Sequence, residues 1–247
     1  HPTPDLLTDY KITGARWVAT NERENVSTTA LIIHHPPANE KWKNRWYQGT
    51  DPVNSETGHS KMCSAIWDSY TNSVSSVVFH RDRKFKQTYL QVLLQSLYYD
   101  QMDKGGVKEL IESNIGDMHL DFQERHGFKT KFTANAALPD YLRTQSSKWF
   151  GISNKTNTAP RILAKLEELI EGYTPYIDVP WFWEQLKTFV EKDLKSQTSH
   201  RQTRYQAADT RYDYDDCIFA ITFAYINAIS HARFTPENIK SKDTDKG

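Results

Sequence analysis

Cysteine is scarce: the 247 residues hold two, Cys63 and Cys217, each inside an apolar run where a thiol behaves as a small hydrophobe. Neither the number nor the spacing makes a disulfide framework or a zinc site, which points to a reducing, intracellular compartment. Long apolar runs are also missing. No stretch approaches the ~20 residues of a membrane span, and no secretory h-region is expected at the N-terminus. Charge of one sign is not in excess, since Lys plus Arg and Asp plus Glu count 31 each. No global basic field therefore announces a nucleic-acid partner, and any such surface must be local. There is no internal repeat and no GxxxxGK[ST] loop, which excludes ATP hydrolysis by that route.

What is present describes a folded domain. Hydrophobic residues make up 38% and charged residues 25%, outside the range of disordered or fibrous chains. Aromatics reach 13%, with seven Trp and thirteen Tyr, enough bulk for a substantial core. Residues 1–28 show no clear period and read as an approach segment. Thr29 to His34 is β-branched and apolar and is stopped by Pro36 and Pro37, the pattern of a strand and a break. Trp46 to Thr50 reads as a strand ending at Asp51-Pro52, and Asn54 to Gly58 as turn chemistry. Lys61 to Asp68 and Ser73 to His80 are further extended runs, and together these predict a meander of three antiparallel strands after the Asp.

Lys86 to Tyr99 spaces its apolar groups helically and predicts a helix packed on the sheet. Val107 to Ser113 reads as a strand stopped by Asn114-Ile115-Gly116. Asp117 to His126 is a second helix with Gly127 as its C-terminal stop. Residues 132–157 are polar and irregular. Ala159 to Ile170 is an amphipathic helix with Pro160 at its start, and Trp183 to Asp193 is another amphipathic stretch. Ser196 to Thr210 is expected to be a loop or hairpin. Asp215 to His231 is a long apolar helix, followed by a charged tail over 234–247.

Three acidic positions begin or end regular elements. Asp51 closes one strand, Glu112 closes another before an open turn, and the Asp215-Asp216 pair opens the last helix. Ligands of α/β sheets collect at strand ends, and a helix N-terminus favours anions. Taken singly, these are a turn former, a solvated strand end and an N-cap. Taken together they supply the hard oxygen ligands that Mg²⁺ and Mn²⁺ prefer. Phosphodiester hydrolysis uses such a set to hold two cations about 3.5–4 Å apart, one activating water and the other offsetting charge on the leaving oxygen.

On these residues the chain resembles the C-terminal nuclease domain of tailed-phage large terminases, from about Ala30 to Ala232. HHPPANEKWKNRWYQGTDP is similar to that family's proline-ended strand, polar hairpin, strand and first acid, here Asp51. IESNIG resembles its Glu-x-Asn-x-Gly turn and supplies Glu112, Asn114 and Gly116. WFGISNKTNTAPRILAKLEELI looks like its Thr, Lys and Pro stretch leading into a helix. EQLKTFV, from Glu184 to Val190, matches a Glu-Leu-x-x-Phe-Val segment, and YQAADTRYDYDDCIFAITFAYINA matches the final Asp-Asp block. The chain departs from the pattern in carrying His59 and Lys61 where an acid is usual after the glycine turn, and Phe219 in place of a fourth acid.

The resemblance implies an α/β fold of ribonuclease H-like type, a central mixed β-sheet flanked by helices on both faces over 29–233. It implies a metal-dependent endonuclease that cuts double-stranded concatemeric DNA during viral genome packaging, with Asp51, Glu112 and Asp216 catalytic and Asp215 a supporting metal ligand or cap. Helix phase decides between the two aspartates, and Asp216 is favoured. Mg²⁺ or Mn²⁺ at a two-metal site is the implied cofactor. An ATPase domain upstream in the same protein, a portal protein and a small terminase subunit are the implied partners, in the cytoplasm of the infected cell and transiently at the procapsid portal.

Phosphate contacts are expected from three basic groups: His59 and Lys61 near the first Asp; Lys148, Lys155 and Arg161 around the start of the amphipathic helix; and His200, Arg201 and Arg204 in the hairpin. For each, a solvated loop is the competing reading. Two rival functions share these features. One is another ribonuclease H-like nuclease of the junction-resolvase or transposase kind. The other is a non-catalytic module that docks on a portal or procapsid.

Overall fold

The computed structural model describes residues 10–13, 16–19, 31–37, 42–53, 61–80, 85–126, 131–143, 149–154, 158–173, 176–194, 202–207 and 214–231. Its centre is a five-stranded sheet. The strands are β3 (Leu31–Ile33), β4 (Trp46–Asp51), β5 (Met62–Asp68), β6 (Ser73–His80) and β7 (Lys108–Ile111), in the order β3-β6-β5-β4-β7. Every pairing is antiparallel except β4 with β7, which is parallel, so the sheet is mixed. The predicted meander is β4-β5-β6, with Asp51 at the end of its first strand rather than ahead of all three. A short hairpin of β1 (Tyr10–Thr13) and β2 (Arg16–Ala19) lies within the stretch that shows no sequence period.

Every residue of β4, β5 and β6 is buried, the signature of a sheet covered on both faces. Helix α1 (Phe85–Asp100) covers one face, where Val92 and Leu94 pack on Leu31, Met62 and Val78. Helix α2 (Asp117–Arg125) joins it there through Phe122. The other face carries α5 (Asp216–His231), backed by α3 (Ala159–Tyr173) and α4 (Pro180–Leu186). Ile218, Ile221 and Ala224 of α5 meet Cys63, Ala65 and Trp67 of β5 in that second core.

Trp183 to Asp193 does not form one element. Pro180 starts α4, which ends at Leu186, and Phe189–Leu194 becomes β8, paired antiparallel with β9 (Gln202–Ala207). Of the loop or hairpin expected over Ser196 to Thr210 only β9 falls inside that range, because its partner strand comes from the preceding stretch. The irregular stretch after α2 adds single bridges to the outer edge of β7, Glu109 with Phe132 and Glu112 with Ile152. Among the described residues no helix is long and apolar enough to cross a membrane.

Candidate metal centre

Two pieces of backbone geometry bring the acidic residues together. The first is the parallel register of β4 and β7, which sets Thr50 opposite Ile111, with the Glu112 N–H donating to the Thr50 carbonyl at 3.1 Å. Asp51 and Glu112 are the next residues along, so two parallel strands end side by side with a carboxyl group each. Alternation along the strands then selects the face. Tyr47 on β4 and Leu110 on β7 both pack towards the α5 side, and Asp51 and Glu112 follow them at even spacing.

The second is the seating of α5 on β4. A Cβ at Gly49 would overlap the main-chain Ala220 oxygen and Ala224 nitrogen, so only glycine lets the helix backbone approach this closely. The helix runs opposite to the strand. Its last residue, His231, stacks on Tyr47 at 5.8 Å, and its first turn lies over the Asp51 end. Asp216, Ala220 and Ala224 stand at i, i+4 and i+8, so the helix face that touches Gly49 also carries Asp216. Asp215 is one residue earlier, half-buried, and its carbonyl accepts from the Phe219 N–H at the helix start.

The electrostatics register this convergence. Burial pushes the Asp51 carboxyl well above the usual carboxylate range, and the charges of Glu112, Asp216 and Asp215 push it the same way. The Glu112 carboxyl group lies close enough to Asp51 to push it further in the same direction. Burial raises Asp216 to about 8, helped by Asp215 and opposed by the Lys61 N–H, which donates to its Oδ2 at 3.4 Å. Four acids with too little positive charge among them are the donor chemistry of a hard divalent cation. Among the described residues, however, no three His, Cys, Asp or Glu side chains are arranged to hold one ion. The carboxylates are gathered but not closed around a common point.

Lys61 is at the site, its ammonium 4.6 Å from the Phe79 ring and 5.0 Å from that of Tyr214. Arg161 lies in the first turn of α3 and donates to the Tyr141 carbonyl. Arg204 pairs with Lys192 across the β8-β9 hairpin through its backbone. His59, Lys148, Lys155, His200 and Arg201 lie outside the described residues.

Three neighbours carry no sequence signal of their own. Cys63 and Cys217 touch, Sγ to Sγ 3.1 Å, and both are free and buried beside Asp51 and Asp216. Burial and the facing thiol push Cys63 well above the usual thiol range, the state of an inert core cysteine. Gln185 of α4 accepts the Cys217 N–H at 2.8 Å and so caps the first turn of α5.

No protein-family model matches the chain, and no curated protein matches it by sequence. Solved structures do. The large terminase nuclease from thermophilic phage G20c superposes with a TM-score of 0.57 at 12% identity, covering 83% of this chain and 89% of its own. The same nuclease with bound magnesium gives 0.55 at 13%, covering 83% and 88%. The large terminase nuclease domain of Thermus phage P74-26 gives 0.54 at 11%, covering 83% and 86%. With a mixed sheet, helices on both faces and this set of neighbours, the chain has the ribonuclease H-like fold of the large-terminase nuclease domains.

Proposed function

We propose that the chain is a divalent-metal-dependent endonuclease that cuts double-stranded viral DNA during genome packaging, without an ATPase in the described fold. The observation that carries this reading is the approach of Asp51, Glu112, Asp215 and Asp216, from two strand ends and one helix start, near enough for burial and mutual charge to drive Asp51 upward. Solved nucleases of the same fold with bound magnesium and cobalt support it. Asp51, Glu112 and Asp216 are the proposed principal ligands of Mg²⁺ or Mn²⁺, and Asp215 a supporting one.

When bound, a pair of such cations activates water and offsets charge on the leaving oxygen. The protein's own part is positional. Asp51 and Glu112 are fixed by strand register and Asp216 by the seat of α5 on Gly49. Lys61 holds Asp216 through its N–H. Phosphate contacts are proposed for Lys61, Arg161 and Arg204, and for His59, Lys148, Lys155, His200 and Arg201 outside the described residues. Double-stranded DNA is the proposed substrate. An ATPase domain, a portal protein and a small terminase subunit are the proposed partners, in the host cytoplasm and at the procapsid portal. The domain is proposed to span 29–233.

Supercoiled plasmid tests the reading. Nicking is expected with Mg²⁺ or Mn²⁺, none with chelator, and a loss of at least about 100-fold in Asp51→Ala, Glu112→Ala and Asp216→Ala. A preference for branched over linear duplex would instead select a resolvase. Absence of metal-dependent nicking, or full activity in Asp51→Ala, would leave a docking module.

A further inference from the structure

Glu112 is met by a second polar group that belongs to neither the acidic set nor the sheet. The Asn114 side-chain amide donates from Nδ2 to Glu112 Oε1 at 3.1 Å, and its Oδ1 accepts from Ser153 Oγ at 2.9 Å. Ser153 is 2% exposed, and its carbonyl in turn accepts the hydroxyl of buried Thr158. The backbone around the two residues is stapled. The Ser113 N–H donates to the Ile152 carbonyl at 2.8 Å, and the Ile152 N–H to the Ile111 carbonyl at 2.9 Å. Gly151 sits at φ +73, where a Cβ would strike the Ile111 oxygen, so the Ser153 segment is pressed against the end of β7.

We propose that Asn114 and Ser153 form a positioning relay for Glu112, in which the serine hydroxyl sets the direction of the asparagine amide and the amide N–H fixes the carboxylate. The chemistry admits one polarity. Asn114 Nδ2 donates to the Glu112 oxygen, which turns Oδ1 to the serine, and an amide oxygen only accepts, so Ser153 donates. The amide N–H thereby limits the rotation of the Glu112 carboxyl group, as groups behind a metal ligand do. Ser153 acts only through Asn114. This inference rests on the reading of Glu112 as a metal ligand.

Mn²⁺ titration followed by electron paramagnetic resonance tests it on the full chain. Wild type is expected to bind, Asn114→Leu to bind about 10- to 100-fold more weakly, and Ser153→Ala several-fold more weakly, with metal-free melting of Ser153→Ala close to wild type. The double variant Asn114→Ala/Ser153→Ala is expected to bind no worse than Asn114→Ala alone, because the serine has nothing left to orient. Ser153→Thr, which keeps the hydroxyl, is expected to bind as wild type. These readouts separate orientation from general loosening of the fold. Wild-type affinity in both Asn114→Leu and Ser153→Ala, or additive losses in the double variant, would overturn the relay and leave the metal site standing. A wild-type protein that binds no Mn²⁺ would overturn the metal site and the relay with it.

Discussion

Asn227, deep in α5, donates its side-chain amide to the main-chain oxygen of Gln48 on β4 at 3.0 Å. The same amide donates to the Lys108 carbonyl at 2.8 Å, and its oxygen accepts from Thr133 Oγ1 at 2.8 Å. One fully buried side chain thus ties the helix to the two parallel strands and to the edge segment beyond them. Asn227→Leu keeps the branched outline, with bulkier methyl groups, and removes all three bonds, leaving two carbonyls and a hydroxyl without this partner. At roughly 1–3 kcal/mol for each abandoned group, the loss is expected to fall within about 3–9 kcal/mol. Denaturant unfolding measures it as a lower midpoint with an unchanged slope.

Gly49 makes the complementary prediction from the backbone side. Gly49→Ala puts a methyl group into main-chain atoms of Ala220 and Ala224, which no rotamer change can move aside. Overpacking of this kind costs typically about 1–3 kcal/mol and occasionally more, and this position belongs at the upper end. Because Asp216 shares the displaced face, nicking is expected to fall further than thermal stability does. Activity at a temperature where the variant remains folded by circular dichroism checks this.

The carboxylates themselves predict a reversed dependence of stability on pH. Burial, with like charge beside it, raises Asp51 and takes Asp216 to about 8, against about 3.9 for an unfolded aspartate. A group whose folded pKa is raised lends stability that is complete below the unfolded value and is lost as pH climbs to the folded one. From about pH 4 to pH 8, in chelator, these two residues therefore destabilise the fold progressively. Asp51→Asn is expected to melt higher than wild type at pH 8 and to lose that advantage towards pH 4. Melting curves of both proteins across the range test it, since an advantage that is constant or grows on acidification would contradict the assigned direction.

Much of this arrangement was legible in the residues. Among the all-buried strands β5 announces itself in its largely apolar run and β6 in its valines, and α5 in its long apolar stretch. Asp51 and Glu112 mark strand ends because Pro52 and the Asn114 to Gly116 turn follow them. That Asp216 shares the helix face seated on Gly49 was not legible, because periodicity gives a helix its faces but not its azimuth on a sheet. The bridges made by Phe132 and Ile152 are single contacts without period. β8 was hidden in an amphipathic stretch because a hairpin strand is specified by the partner it pairs with, here β9, as well as by its own residues. Ser153 and Gln185 were unreadable for a similar reason. Each works through one hydrogen bond to a distant element.

Behind the sheet, Glu109 and His119 make a pair that the acidic site does not use. Both are almost wholly buried, with His119 Nε2 3.1 Å from Glu109 Oε1 and Gln123 donating to Glu109 Oε2 at 2.7 Å. Burial alone would raise the Glu109 carboxyl, but His119 and the bonds from His119, Thr50 and Gln123 outweigh it and hold the group below the usual range. Its contribution is therefore present above about pH 4 and disappears on acidification, opposite in sign to that of Asp51. His119→Leu strands a carboxylate in the core and is expected to cost about 3–5 kcal/mol at pH 7. The double variant Glu109→Leu/His119→Leu removes both partners at once and is expected to recover most of that loss, since an apolar pair of similar volume replaces a buried polar pair at little cost. Equilibrium unfolding of the two single variants and the double measures the coupling. A double variant less stable than His119→Leu alone would mean that the carboxylate contributes through Thr50 and Gln123 even without the imidazole.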